Sequence, residues 1–217
     1  KYQKFNVNFS VFNYTLDSSL LFIKIFPKDL LYSYLNEEGK YKAQLKINYF
    51  NYEYNESTKS YGNLIDSATI NYYFYREGIP KEITKKLKLY TPYNKYYILK
   101  IICTDIIRKY SNIQYLLINK KNQSYQDILL YSESDTLPHF YPYILKSDSC
   151  KLKINESNTT KILYLLQIDN YKNPLPIFND NFENNEINSC SKKLIKKINL
   201  DIQNNIKLPS YGYYLLL

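Results

Sequence analysis

Apolar and polar residues alternate with a period of two where this chain opens. In Phe5-Asn6-Val7-Asn8-Phe9-Ser10-Val11 each odd position is apolar and each even one polar. The pattern returns in Ala43-Gln44-Leu45-Lys46-Ile47-Asn48-Tyr49 and, more loosely, in Ile70-Asn71-Tyr72-Tyr73-Phe74. Successive side chains of a strand point to opposite faces, so this period marks strands with one buried and one wet face. Antiparallel sheets of that kind pack in pairs. The expected fold class is all-β: an immunoglobulin-like antiparallel β-sandwich, followed by a second, incomplete β-rich domain.

Strand candidates fall at about 5–13, 19–26, 41–50, 67–76, 82–90, 96–104 and 113–119. Glu37-Glu38-Gly39 and Tyr61-Gly62-Asn63 suit chain reversals, and Glu77-Gly78-Ile79-Pro80 breaks any strand. About seven short strands at this spacing match the immunoglobulin-like sandwich, without the Cys…Trp…Cys core of antibody domains. Lys28–Tyr32, after Pro27, reads as a short helical turn or a bent strand. A second unit begins near residue 121, which gives domains 1–120 and 121–217. Its strand candidates are Asp127–Tyr131, Cys150–Ile154, Lys161–Ile168, Leu200–Ile206 and Tyr213–Leu217, with Ser191–Ile198 a short amphipathic helix or a strand end. The apolar finish and the missing initiator Met read as a segment cut from a longer chain.

At 217 residues, 45% of them hydrophobic, the chain can bury a core of its own. Aromatic supply is lopsided: Tyr 27 and Phe 10, with no Trp. A net charge of +9 comes almost wholly from Lys, since Arg76 and Arg108 are the only arginines. Nucleic-acid readers favour Arg for bidentate contacts, and no basic stripe is visible, so no nucleic-acid partner is expected. The lysines read as a solvated surface that guards strand edges. No apolar run is long enough to span a bilayer as a helix.

Little points to reaction chemistry. The single histidine, His139, has no nucleophile placed beside it by any motif, and Asp127, Glu133 and Asp135 read as a solvated cluster. Asp180, Glu183 and Glu186 lack a Ca²⁺-loop pattern, and no Gly-rich phosphate loop exists. Cys103, Cys150 and Cys190 have no zinc spacing. Cys103 reads as a buried small hydrophobe. In an oxidising compartment Cys150 and Cys190 are the pair best placed for a disulfide. No catalytic residue, metal or cofactor is expected. The remaining candidate is aromatic: Tyr90, Tyr93, Tyr96 and Tyr97, with Tyr52 and Tyr54, cluster near strand ends, where tyrosines anchor partners or stack sugars.

Several phrases also look familiar in their order: Ser18–Ile25, Lys28–Tyr32, Tyr41–Tyr49, Ile65-Asp66-Ser67-Ala68, Tyr97–Ile101 before Asp105–Arg108, Asn119–Ser124 with Gln126-Asp127, and Asp169-Asn170-Tyr171 before Pro174–Phe178. Together they resemble the N-terminal β-sandwich region of GWxTD domain-containing proteins of Bacteroidota. The naming Gly-Trp-x-Thr-Asp motif is absent, as the chain has no Trp. The resemblance implies an exported, periplasmic or outer-membrane-associated protein whose membrane attachment would be an N-terminal lipid anchor outside this segment. The expected role is a non-enzymatic extracytoplasmic scaffold or protein-interaction module with protein partners of the cell envelope. The alternative is a carbohydrate-binding or adhesin-type module.

Overall fold

The computed structural model describes residues 5–35, 39–121, 125–132, 138, 140, 150–155, 162–168, 192–199, 205–206 and 213–216. The chain divides into two compact units, Lys1–Ile128 with Ile154–Ser157, and Leu129–Lys153 with Asn158–Leu217. The protein is all-β with antiparallel pairing, and no helix among the described residues is long and apolar enough to cross a membrane.

The first unit holds β1 (Val7–Thr15), β2 (Ser18–Ile25), β3 (Ser33–Leu35), β4 (Lys40–Asn55), β5 (Ser60–Tyr75), β6 (Ile83–Tyr90), β7 (Tyr96–Asp105) and β8 (Tyr110–Asn119). β1, β2 and β6 form one sheet in that order. The other runs β3-β4-β7-β8, with β5 paired to the second edge of β4. Alternation decides which face is buried. On β4, Ala43, Leu45, Ile47, Tyr49 and Asn51 turn inward, while Gln44, Lys46, Asn48 and Phe50 turn outward. β7 repeats this with Tyr97, Leu99, Ile101 and Cys103 inside. These rows meet Val7, Leu21, Ile23, Ile25 and Leu89 of the three-stranded sheet in one apolar core. With β1-β2-β6 facing β4-β7-β8, the strand order is that of an immunoglobulin-like sandwich in which β5 joins β4 rather than β6.

Three local features follow from particular residues. Pro27 sets the dihedral for a 3-10 turn over Pro27–Asp29, resolving the helical-turn alternative. The reversal expected at Tyr61-Gly62-Asn63 lies elsewhere: these residues sit inside β5, and the chain turns at 56–59. There the Asn55 Oδ1 accepts from the backbone N–H of Ser57 (3.0 Å) and Thr58 (3.2 Å), and Lys59 takes φ 51°. Gly62 instead permits a close approach at a bulge, since a Cβ there would lie 3.2 Å from the Glu53 Cβ. At the β7–β8 turn the fully buried Asp105 accepts from Leu31 N–H (2.9 Å) and Arg108 N–H (3.1 Å), with the Arg108 Nε 3.6 Å away.

Tyr97 enters the core at the start of β7, and its hydroxyl donates 2.7 Å back to the Pro92 carbonyl. This is the tyrosine corner of immunoglobulin-like sandwiches, which fixes the loop between β6 and β7. The first unit also extends past the boundary expected at 120. Gln126 and Asp127, in a 3-10 turn over Tyr125–Asp127, are buried against β8 and β1, and Asn155 N–H donates 2.9 Å to the Asp127 carbonyl.

Among the described residues six further strands follow: β9 (Ile128–Ser132), β10 (Cys150–Ile154), β11 (Ile162–Ile168), β12 (Lys192–Asn199), β13 (Asn205–Ile206) and β14 (Tyr213–Leu216). They form two three-stranded sheets, β13-β10-β9 and β12-β11-β14. Ser191–Ile198 therefore resolves to a strand from Lys192, bulged against β11 between Leu165 and Leu166.

Removing the Tyr97 hydroxyl alone should be visible. Tyr97→Phe is expected to cost about 1–2 kcal/mol, a few degrees in Tm. Asp105→Ala, which removes the acceptor of the Leu31 and Arg108 N–H groups and the carboxylate beside the Arg108 guanidinium, should cost about 3 kcal/mol or more. Calorimetry of both variants checks this; a silent Tyr97→Phe would mean the corner adds nothing to stability.

Candidate functional site

The four tyrosines singled out at the sequence level do not form one surface. Tyr90 lies opposite Ser18, on the outer face of the three-stranded sheet, and is exposed. Tyr93 is exposed on the β6–β7 loop. Tyr96 is half-buried on the outer face of the other sheet, between Tyr54 and Asn119. Tyr97 is fully buried between the sheets, so its place in an exposed aromatic surface is corrected: the corner hydrogen bond needs it inside. One signal was available. Tyr96-Tyr97 opens a strand whose alternation points the second Tyr inward with Leu99 and Ile101.

The surface that does assemble is the outer face of the five-stranded sheet. Register places its side chains in rows across β4, β7 and β8. These are Asn48–Ile102–Ile113, Phe50–Lys100–Tyr115, Tyr52–Ile98–Leu117 and Tyr54–Tyr96–Asn119. β5 adds Leu64 opposite Tyr52 and Tyr61 opposite Tyr54, and the rings of Tyr52 and Tyr61 meet edge-to-face at 5.6 Å. Ile113 remains 50% and Tyr115 54% exposed, and the central residues of the rows are half-buried. Neighbouring apolar side chains on a sheet face are a feature that interaction surfaces share. Lys46 and Lys100 interrupt it. Burial, and then the Glu56 carboxylate of the hairpin tip, raises the Tyr96 phenol pKa.

The opposite feature is a buried polar cluster at the end of the sandwich that holds the β1–β2 and β6–β7 turns. The Asn13 Nδ2 donates to the Asn119 carbonyl (2.8 Å) and to Asp127 Oδ1 (2.9 Å), and its Oδ1 accepts from Ser19 Oγ (3.0 Å). Ser19 in turn lies 2.8 Å from Thr91 Oγ1. Lys120, 3% exposed, sends its Nζ to the Thr15 carbonyl and to that of Ser18 (3.2 Å). Burial pulls its pKa down to about 8, against the opposing pull of the Asp127 and Asp17 carboxylates. Both partners are backbone carbonyls inside the fold, so this lysine joins turns.

Cys103 is buried on β7, and desolvation pushes its thiol up to about 12. Such a thiol is a packing group. Cys150 is buried on β10, whereas Cys190 lies outside the described residues, as do His139, Glu133, Asp135, Asp180, Glu183 and Glu186. Among the described residues no three His, Cys, Asp or Glu side chains gather as metal ligands would. No protein-family model matches the sequence, and no curated protein does either.

The Lys120 site sets a pH dependence whose sign is fixed. Its unfolded lysine titrates near 10.5 and its folded one near 8. Between about 8 and 10 the unfolded chain holds the extra proton, so stability rises with pH there. Above pH 10 the buried Tyr49, raised to about 12, acts in the opposite sense. Tm measured from pH 7.5 to 9.5 should climb in the native protein and fall in Lys120→Met, where the buried Cys103 thiol, raised from 9.0 to about 12, acts alone in the opposite sense; parallel profiles would refute the assignment.

Proposed function

We propose that this protein is a non-enzymatic scaffold or protein-interaction module, working outside the cytoplasm in a bacterial envelope, and that the outer face of β4, β7 and β8 is its recognition surface. The observation that carries the reading is the row structure of that face: Phe50, Ile98, Ile102 and Leu117, half-buried, stand beside the exposed Ile113 and Tyr115 on the outer face of one sheet. Aromatic and aliphatic anchors over a packed scaffold are what protein interfaces place at their centre. Export and envelope partners are supported by the resemblance to GWxTD domain-containing proteins. A glycan-stacking role has less support, since Tyr90 and Tyr96 occupy opposite faces and Tyr97 is inside.

A photo-crosslinking side chain at Ile113 should capture a discrete protein in the source cells, while the same group at Lys86, on the other sheet, should not. Ile113→Glu, exposed enough to leave Tm unchanged, should weaken that association about 30-fold, the scale of one interface hot spot. Equal capture from both positions, or none from 113, would refute the reading.

A further inference from the structure

Among the described residues the sandwich has four long edge strands, and three of them carry side-chain contacts or charges that hinder an added strand. β1 and β8 lie on one side. There the Gln114 Nε2 donates to the Val7 carbonyl (3.1 Å), and Phe5 stands edge-on to Tyr110 at 5.9 Å. Further along, Gln126 takes the Asn119 N–H (2.8 Å) on its Oε1 and donates to the Leu117 carbonyl (2.7 Å) through its Nε2. Side chains thus engage the Val7 carbonyl at the start of β1 and the backbone of Leu117 and Asn119 at the end of β8. β6 carries Lys85, Lys86 and Lys88, the charged residues that discourage edge pairing.

β5 has none of these devices. It is 16 residues long, pairs among the described residues with β4 alone, and contains no Lys, Arg or Pro. Its single charge, Asp66, is engaged inward by the Tyr49 hydroxyl (3.2 Å) and the Tyr90 N–H (3.4 Å). Ser67, Ala68, Thr69, Asn71 and Tyr73 are exposed along it. A long open edge offers a ladder of backbone donors and acceptors to an added strand.

The charges flanking this edge specify the occupant. Lys85 stands 5.9 Å from the Tyr72 ring on the inner side, and Lys42 stands 4.3 Å from the Tyr73 ring on the outer side. Lys40 lies 6.0 Å from the ring of Tyr75. A strand added to β5 would place alternate side chains beside these cations, on both faces. A second copy of this chain would bring the same cations and another +9 of net charge to the junction. An acidic strand complements both.

We propose that the free edge of β5 accepts an extended, acidic segment of a partner polypeptide by strand addition. The proposal rests on the protein-interaction reading and names the partner's chemistry, at an edge distinct from the Ile113 face. The test uses a twelve-residue peptide alternating Glu with Val, beside its Lys-Val counterpart, with binding read by fluorescence anisotropy and location by amide hydrogen exchange. The Glu peptide should bind at least about tenfold more tightly than the Lys peptide, weaken with salt, and protect amides of β5. The double variant Lys42→Glu/Lys85→Glu, altered only at the surface, should reverse the preference. Ile113→Glu should leave it unchanged, so the edge and the face stand or fall separately. Equal binding of the two peptides, no binding, or protection away from β5 would overturn the proposal. So would concentration-dependent protection of β5 without peptide, which would make the occupant a second copy.

Discussion

The register between β4 and β7 is the constraint on which the rest of the first unit depends. It sets Ile47 beside Cys103, Tyr49 beside Ile101 and Asn51 beside Leu99, all facing the three-stranded sheet. A slip of one residue would turn every side chain of a strand to the other face. Here that penalty is uneven. Beyond Tyr49 the outward residues Phe50, Tyr52 and Ile98 are as apolar as the inward ones, so hydrophobicity alone would tolerate a flip in that half. Lys46 and Lys100 discriminate, because a slipped strand would have to bury an ammonium without a partner. The two lysines in the apolar face thus help to define it as the outer one.

Buried polar groups at the ends of the sandwich add to this specification. Asp105 joins the β7–β8 turn to Leu31, and the Asn13–Ser19–Thr91 chain joins the first hairpin to the loop before β7. Each group would be costly to bury in a misregistered fold where its partner is missing. Satisfaction is not complete. The Asn51 Nδ2 donates 3.0 Å to the Tyr90 carbonyl, but its fully buried Oδ1 has no partner among the described residues. Placing Asn51 there orients the end of β6 at the expense of one unpaired oxygen.

Much of the first unit was legible because alternation is a local signal. β1, β2, β6 and β7 fall within about two residues of their expected limits, and Cys150–Ile154 is β10 as read. β4 and β5 ran longer than expected, since Tyr and Asn at 50–55 and 60–66 alternate weakly and Gly62 resembled a turn residue. What closes the turn is the Asn55 side chain, and its hydrogen bonds depend on the backbone path. The tyrosine candidates failed for another reason. Exposure of a Tyr at a strand end depends on which sheet the strand joins, and Tyr90 and Tyr96 join different ones. The apolar outer face was unreadable as a site because its rows come from β4, β7 and β8, segments that the sequence separates and only pairing brings together.

The same topology explains why one edge is left open. β1 and β8 meet across the sandwich, where Gln114 takes the Val7 carbonyl and Gln126 the backbone of Leu117 and Asn119 without adding charge. On the other side β6 lies against the inner surface of β5, close enough for Tyr90 to bond Asp66, and its lysines guard the shorter strand. A lysine near the hairpin end of β5 would stand beside the tyrosines of the apolar face and break its rim, because Leu64 and Tyr61 of β5 lie opposite Tyr52 and Tyr54 of that face. Keeping the face apolar and charging its bordering edge are therefore competing demands on one strand. At the hairpin end of β5 the apolar demand has prevailed. Its backbone remains available, and the cations that would otherwise protect it sit one strand away, on β4 and β6.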